Sequence, residues 1–184
     1  MTTLTRPDPN TYWVEPNRLL AGEYPGRMAP EDPSERLGAW LDVGIRSFID
    51  LTMPDELTPY APTLENLAQQ RGLRVQHWPI GIRDLGVPSV ETMQRILDLL
   101  DAEIAAQRPV YVHCWGGIGR TGTVVGCHLV RHGLDGEQAL DRLAELWRVV
   151  EKRWRRPHTP ETAEQREFVL QWDEAERGLR GGQR

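Results

Sequence analysis

The sequence predicts an α/β fold: a single domain on a central, mostly parallel sheet of four or five strands, with helices on both faces. Three observations predict it. The chain has 184 residues, a length that suits one domain with one well-formed core. Short apolar runs alternate with segments of helical periodicity through the middle of the chain, the pattern of parallel strands joined by crossover helices. Finally, Val110-Tyr111-Val112 runs into a glycine-rich segment that ends where a helical stretch begins, so a strand, a loop and a helix follow in succession.

Taken in order, residues 1–11 are polar and proline-bearing and read as a flexible N-terminus. The folded domain is expected over 12–177, with 178–184 a flexible C-terminus. Tyr12 to Ala21 reads as one or two short strands, ended by the turn-rich Gly22-Glu23-Tyr24-Pro25-Gly26. Pro33 to Val43 reads as a helix, because Leu37, Trp40 and Leu41 share a face, and Gly44 stops it. Ile45 to Leu51 is a strand, Pro59 to Arg71 a helix ended by Gly72, and Leu73 to Trp78 another strand. Gly81 to Pro88 is a loop. Ser89 can cap the next helix, with Glu91 in its first turn and Ile96, Leu97, Leu99, Leu100 and Ile104 as its apolar side. Val110 to His113 is the last strand, and helices follow at 121–132, 135–151 and 161–177.

Composition removes several classes of function. The net charge is −5, and the one basic tract is Lys152 to Arg156, so no nucleic-acid partner is expected. No apolar run approaches the length of a membrane span, so no membrane partner is expected either. Two cysteines and an N-terminus unlike a signal peptide indicate a reducing, cytoplasmic location. The seven tryptophans are scattered and read as packing or surface anchors.

The chemistry concentrates in His113-Cys114-Trp115-Gly116-Gly117-Ile118-Gly119-Arg120-Thr121-Gly122. In a parallel sheet, ligands bind at the carboxyl ends of strands, where His113 and Cys114 fall. The backbone N–H groups from Trp115 through Gly116, Gly117, Ile118 and Gly119 to Arg120 can converge on a phosphate, and the glycines permit the tight path this requires. The helix that follows directs its positive end at the same point, and Arg120 can grip two oxygens at once. A thiol in such a field is expected to ionise readily, which makes Cys114 a candidate nucleophile. Thr121 can donate its hydroxyl to the sulfur, and His113 reads as support for the loop rather than as a base. Cys127, flanked by Val124, Val125, Leu129 and Val130, reads as core packing rather than as a disulfide partner.

This segment resembles the Cys-x5-Arg signature loop of the cysteine-dependent protein phosphatases. The short chain is most similar to the dual-specificity branch, strongly over 110–131 and more loosely over about 12–172. The resemblance implies that 12–177 is a catalytic domain whose phosphate-binding loop joins the last strand to the next helix. It also implies hydrolysis through a phosphocysteine, with no cofactor and no metal. An acid is required for the leaving oxygen. Asp84 stands thirty positions before Cys114, the family's usual interval, in a looser setting than the Trp-Pro-Asp tripeptide. Asp50 and Asp55 are the alternatives. By the same resemblance, Gln165 is a candidate for positioning the hydrolytic water, with a solvated helix residue as the competing reading.

The expected substrate is a phosphorylated protein or peptide carrying phosphotyrosine, with phosphoserine and phosphothreonine as further targets. No lysine lies between Cys114 and Arg120, which disfavours highly charged inositol lipids. RNA 5′-phosphates on the same fold, a phosphate-binding module with little turnover, and a sulfurtransferase are the alternatives. Arg153, Arg155, Arg156 and His158 can flank the pocket or form a solvated helix end.

Overall fold

The computed structural model describes residues 5–26 and 31–173. Residues 1–4 of the flexible N-terminus expected over 1–11, the flexible C-terminus expected at 178–184 and the helix expected over 174–177 lie outside them. Within 5–10, Asp8 accepts from Arg36 at 2.9 Å, and Arg6 donates to the Thr11 carbonyl at 2.7 Å.

The sheet has five strands: β1 (Thr11–Glu15), β2 (Leu19–Gly22), β3 (Ser47–Asp50), β4 (Gln76–Pro79) and β5 (Val110–His113). Their spatial order is β1-β2-β5-β3-β4. The β1–β2 hairpin is antiparallel, and every other pairing is parallel. Among the described residues the α-helices are α1 (Ser34–Asp42), α2 (Ala61–Gln70), α3 (Val90–Ala105), α4 (Gly119–Arg131), α5 (Gly136–Trp147) and α6 (Ala163–Leu170).

Period-two alternation distributes β5 between two cores. Val110 and Val112 join the cluster that includes Leu100, Val124, Leu143 and Val169, under α3 to α6. Tyr111 points the other way, into the cluster of Leu37, Trp40, Phe48 and Leu64 beneath α1 and α2. Helices therefore cover both faces, as the pattern of alternating elements requires.

The register aligns the site. Gly22, His113, Asp50 and Pro79 lie in one row across the four parallel strands. The segments that follow them all leave from the same carboxyl edge, where open α/β sheets bind ligands.

Local signals explain most boundaries. Gly44 has φ 93°, and the bonds Gly44 N to Leu41 O and Ile45 N to Trp40 O close α1 as a Schellman motif. Ser89 caps α3 by accepting from Thr92 N, as expected. Two strands are shorter or later than expected, because Ile45 N and Leu73 N are still bonded to the preceding helices.

The helix expected over 135–151 ends at Trp147, and a 3-10 turn follows at Glu151–Trp154. Tertiary contacts account for the break: Trp147 Nε1 donates to Arg156 O, Glu151 N to Pro9 O and Lys152 N to Asn10 Oδ1. The last helix begins at Ala163, behind a Thr162–Gln165 capping box, and ends at Leu170.

Candidate active site

The segment after β5 turns sharply into α4 against the β2 strand end. Gly117 has φ 69°, and a Cβ there would lie 2.3 Å from the Gly22 carbonyl carbon, so only glycine fits. Carbonyls of the loop are tied outward: Trp115 O accepts from Tyr24 N, Gly116 O from Lys152 Nζ and Ile118 O from Thr159 Oγ1.

A cavity of about 530 Å³ opens above this loop, and Cys114, Trp115, Gly116, Ile118, Gly119 and Arg120 line it. Asp84 lines the same cavity from the loop after β4. Asp84 and Cys114, thirty positions and on the order of 100 Å of extended chain apart, thus share one pocket. Gly117 does not line it and instead packs on Gly22.

Arg120 is 2% exposed, and its pairing explains how a guanidinium can be buried. Glu56 grips it with both oxygens, at 2.7 and 2.8 Å. Asp84 Oδ1 lies 3.0 Å from Nη2, and Nη1 also donates to the Ile82 carbonyl at 3.1 Å. Sequence reasoning missed Glu56. A buried arginine demands a carboxylate partner, but the chain offers Asp50, Asp55 and Glu56 in one short stretch and does not say which one turns inward.

His113 is fully buried below the loop. Its Nδ1 faces two acceptors, Cys114 O at 3.4 Å and Asp50 Oδ1 at 3.9 Å, so the ring proton belongs there. Nε2 then accepts from the Tyr60 hydroxyl at 2.7 Å. Burial pushes the Tyr60 hydroxyl well above its ordinary value, so it keeps the proton it donates. Burial also lowers the His113 pKa to about 4, although Asp50 opposes the shift. The Asp50 carboxyl is itself pushed up by burial, yet His113, His77 and Thr52 together hold it below the ordinary range. Asp50 is therefore a buried anchor, and it does not line the pocket. Asp55 faces a neighbouring cavity with Met53, Leu57 and Trp115.

The sign of the His113 shift gives a stability expectation. A histidine with a depressed folded pKa contributes stability that is complete above its unfolded value of 6.5 and is lost as pH falls toward about 4. Over that window His113 should cost about 3 kcal/mol. His128, also lowered by burial, acts in the same direction. Urea unfolding at pH 7 and pH 4.5 should show the loss, and His113→Gln should flatten the slope. An equally steep slope in that variant would remove His113 as a cause.

Two expected contacts take a different form. The Thr121 hydroxyl is fully buried and makes no hydrogen bond, so it does not reach the Cys114 sulfur here. Gln165 is buried behind the loop rather than solvated, and it does not line the pocket. Its Oε1 accepts from Glu161 N and Thr162 N, while Nε2 donates to Gly86 O at 3.0 Å. A Cβ on Gly119 would lie 2.7 Å from Oε1. Gln165 thus braces the Asp84 loop against the start of α4.

Of the basic tract, Lys152 and Arg156 line the pocket. Lys152 is held by Glu23 at 2.5 Å, and Arg156 pairs with Glu161 at 3.3 Å. Arg153 instead stacks on the exposed Trp154, and neither Arg155 nor His158 lines the pocket. Cys127 is buried in the core, and no disulfide joins it to Cys114.

Residues 8–169 match the family model described as Swiss Army Knife protein, DSP-PTPase phosphatase domain. The chain belongs to this DSP-PTPase family. Human cyclin-dependent kinase inhibitor 3 is 33% identical over 106 residues, which is 56% of this chain and 49% of that one. Tyrosine-protein phosphatase 2 of Dictyostelium discoideum is 32% identical over 151 residues, 76% of this chain and 37% of its own. The chain spans about half the length of the first curated relatives it matches. Among solved structures, Tk-PTP in its active form has a TM-score of 0.64 at 26% identity, covering 88% of this DSP-PTPase chain and 94% of that one. PTPMT1 in complex with PI(5)P shares the fold, with a TM-score of 0.67 at 19% identity, covering 94% and 99%. No helix among the described residues of this DSP-PTPase domain is long and apolar enough to cross a membrane.

Proposed function

We propose that the protein is a phosphate monoester hydrolase that removes phosphate from phosphoproteins, phosphotyrosine above all, through a phosphocysteine intermediate. One observation carries the reading: Cys114, Arg120 and Asp84 line a single pocket, with Asp84 and Arg120 in direct contact.

In the first step the Cys114 sulfur attacks phosphorus and the ester P–O bond breaks. Asp84 gives its proton to the leaving oxygen. In the second step water attacks phosphorus, the S–P bond breaks, and Asp84 takes the proton of the water. Inorganic phosphate leaves and the thiolate returns. The loop amides and the start of α4 stabilise the phosphoryl oxygens, and Arg120 adds its fork of donors. An entering phosphate competes with Asp84 for the guanidinium, so binding releases Asp84 toward the leaving group. Glu56 keeps the fork oriented throughout, and His113 holds the loop from below.

The rim favours an aromatic phosphoester. Trp115 is 60% exposed and Leu85 52%, and both line the pocket, giving apolar walls to a ring. The rim cations Lys152 and Arg156 are each matched by a glutamate, which leaves little surplus positive charge for a polyphosphorylated inositol. Rates should therefore rank phosphotyrosine peptides first, phosphothreonine and phosphoserine peptides lower, and inositol phosphates and RNA 5′-phosphates lowest. A kcat/KM series over these substrates tests the order, and a higher value for inositol phosphates or RNA would overturn the phosphoprotein reading.

A further inference from the structure

At the far end of α4 lies a group that the proposed reaction does not use. His128 and His132 sit four residues apart, on one face of the helix. Asp101 of α3 stands opposite. One ligand atom from each of Asp101, His128 and His132 lies within 4.8 Å of the others. The cluster adjoins a cavity of about 290 Å³ lined by Glu15, Arg18, Asp101 and His132.

The hydrogen bonding resembles a ligand set held by protons. His132 Nε2 lies 3.0 Å from Asp101 Oδ1, and His128 Nε2 lies 2.8 Å from Glu15 Oε1. Tetrahedral bonds of ~2.0–2.1 Å place neighbouring ligand atoms about 3.3 Å apart, so small side-chain rotations suffice. Each carboxylate gives its other oxygen to an arginine: Glu15 Oε2 to Arg18 at 3.1 Å, and Asp101 Oδ2 to Arg131 at 3.1 Å. Arg131 is further neutralised by Asp98 at 2.9 Å. The oxygens that face the histidines are thus not the ones the cations use.

His128 supplies a second, independent observation. It is 1% exposed, and its Nδ1 is buried without a hydrogen-bond partner. A carboxylate on one ring nitrogen, with the other nitrogen left as a lone pair, is the arrangement that metal-ligating histidines adopt.

We propose that His128, His132 and Asp101 bind a divalent transition-metal ion of the zinc class, with Glu15 orienting His128 and water completing the coordination. Two imidazoles and a carboxylate suit zinc, cobalt or nickel rather than calcium or magnesium. The ion clips α3 to the C-terminal end of α4. His132 is roughly 18 Å along the helix from Arg120, so the clip is structural and takes no part in catalysis.

The test uses the full chain carrying Cys114→Ser, so that the active-site thiol cannot bind the metal. Cobalt(II) is titrated and followed by its visible absorption. Saturation near one ion per chain is expected, weakened at least about tenfold by His132→Ala. At one hundred times Kd, zinc should raise Tm by roughly 5–10 °C, and His132→Ala should abolish the rise. In the wild-type background, His132→Ala should leave aryl phosphate hydrolysis unchanged, which separates this proposal from the proposed function. Absent cobalt absorption, or a titration identical in the His132→Ala protein, would mean an adventitious ion only and overturn the site.

Discussion

Cys114→Ser should lower the hydrolysis of a small aryl phosphate by on the order of 10⁴-fold or more, because it removes the atom that forms the intermediate. The measurement is kcat/KM for both proteins in a buffer with a metal chelator, at several pH values. The wild-type rate should survive the chelator. The serine protein should still bind inorganic phosphate, since Arg120, the loop amides and the helix start are untouched. Cys114 is 3% exposed and differs from serine by one atom, so the fold should persist, and a thermal unfolding scan checks this. Equal rates in the two proteins would sink the covalent mechanism. Loss of phosphate binding together with activity would mean that the substitution had disturbed the cradle itself.

Asp84→Asn should slow alkyl and unsubstituted phenyl phosphates by about 10²–10⁴-fold, the range typical of general acid catalysis. A nitrophenyl ester, whose leaving group departs without help, should lose far less. The comparison is a plot of log kcat against leaving-group pKa for both proteins, with a steeper slope expected for the variant. Asp84 is half exposed and contacts Arg120 through one oxygen, so asparagine can keep the loop in place. A uniform loss across the series would assign Asp84 to positioning Arg120 and move the acid elsewhere. Asp50 is a poor replacement, because it is buried among Thr52, His77 and His113 away from the pocket.

The fold was legible because its signals are local and repeat. Val110 to His113, the glycine stop at Gly44 and the Ser89 cap each express a backbone preference that a few neighbouring residues decide. The boundaries that slipped were set from a distance. Nothing within 135–151 announces that Trp147 will reach forward to Arg156, or that Lys152, just past the expected helix, will meet Asn10, Glu23 and Gly116.

The site divides in the same way. Cys114, Arg120 and the glycines between them were readable as one unit, because a phosphate cradle is built from consecutive amides. Asp84, which lines the same pocket, was singled out through family spacing. Glu56 and Tyr60 were not, since each acts on a residue more than fifty positions away and neither belongs to a contiguous motif. Gln165 was singled out for the right neighbourhood, but its carboxamide is engaged by Gly86, Glu161 and Thr162. The sequence therefore determined the candidate nucleophile, the glycine-rich loop and the alternation of strands and helices along the chain, which depend on short-range covalent geometry and on hydrophobic periodicity. Only the tertiary structure decided which carboxylate neutralises Arg120, which hydroxyl holds His113 and what braces the loop that carries Asp84. Burying a charged or polar group requires a partner, and the folded chain selects it by proximity in space, which adjacent residues do not encode.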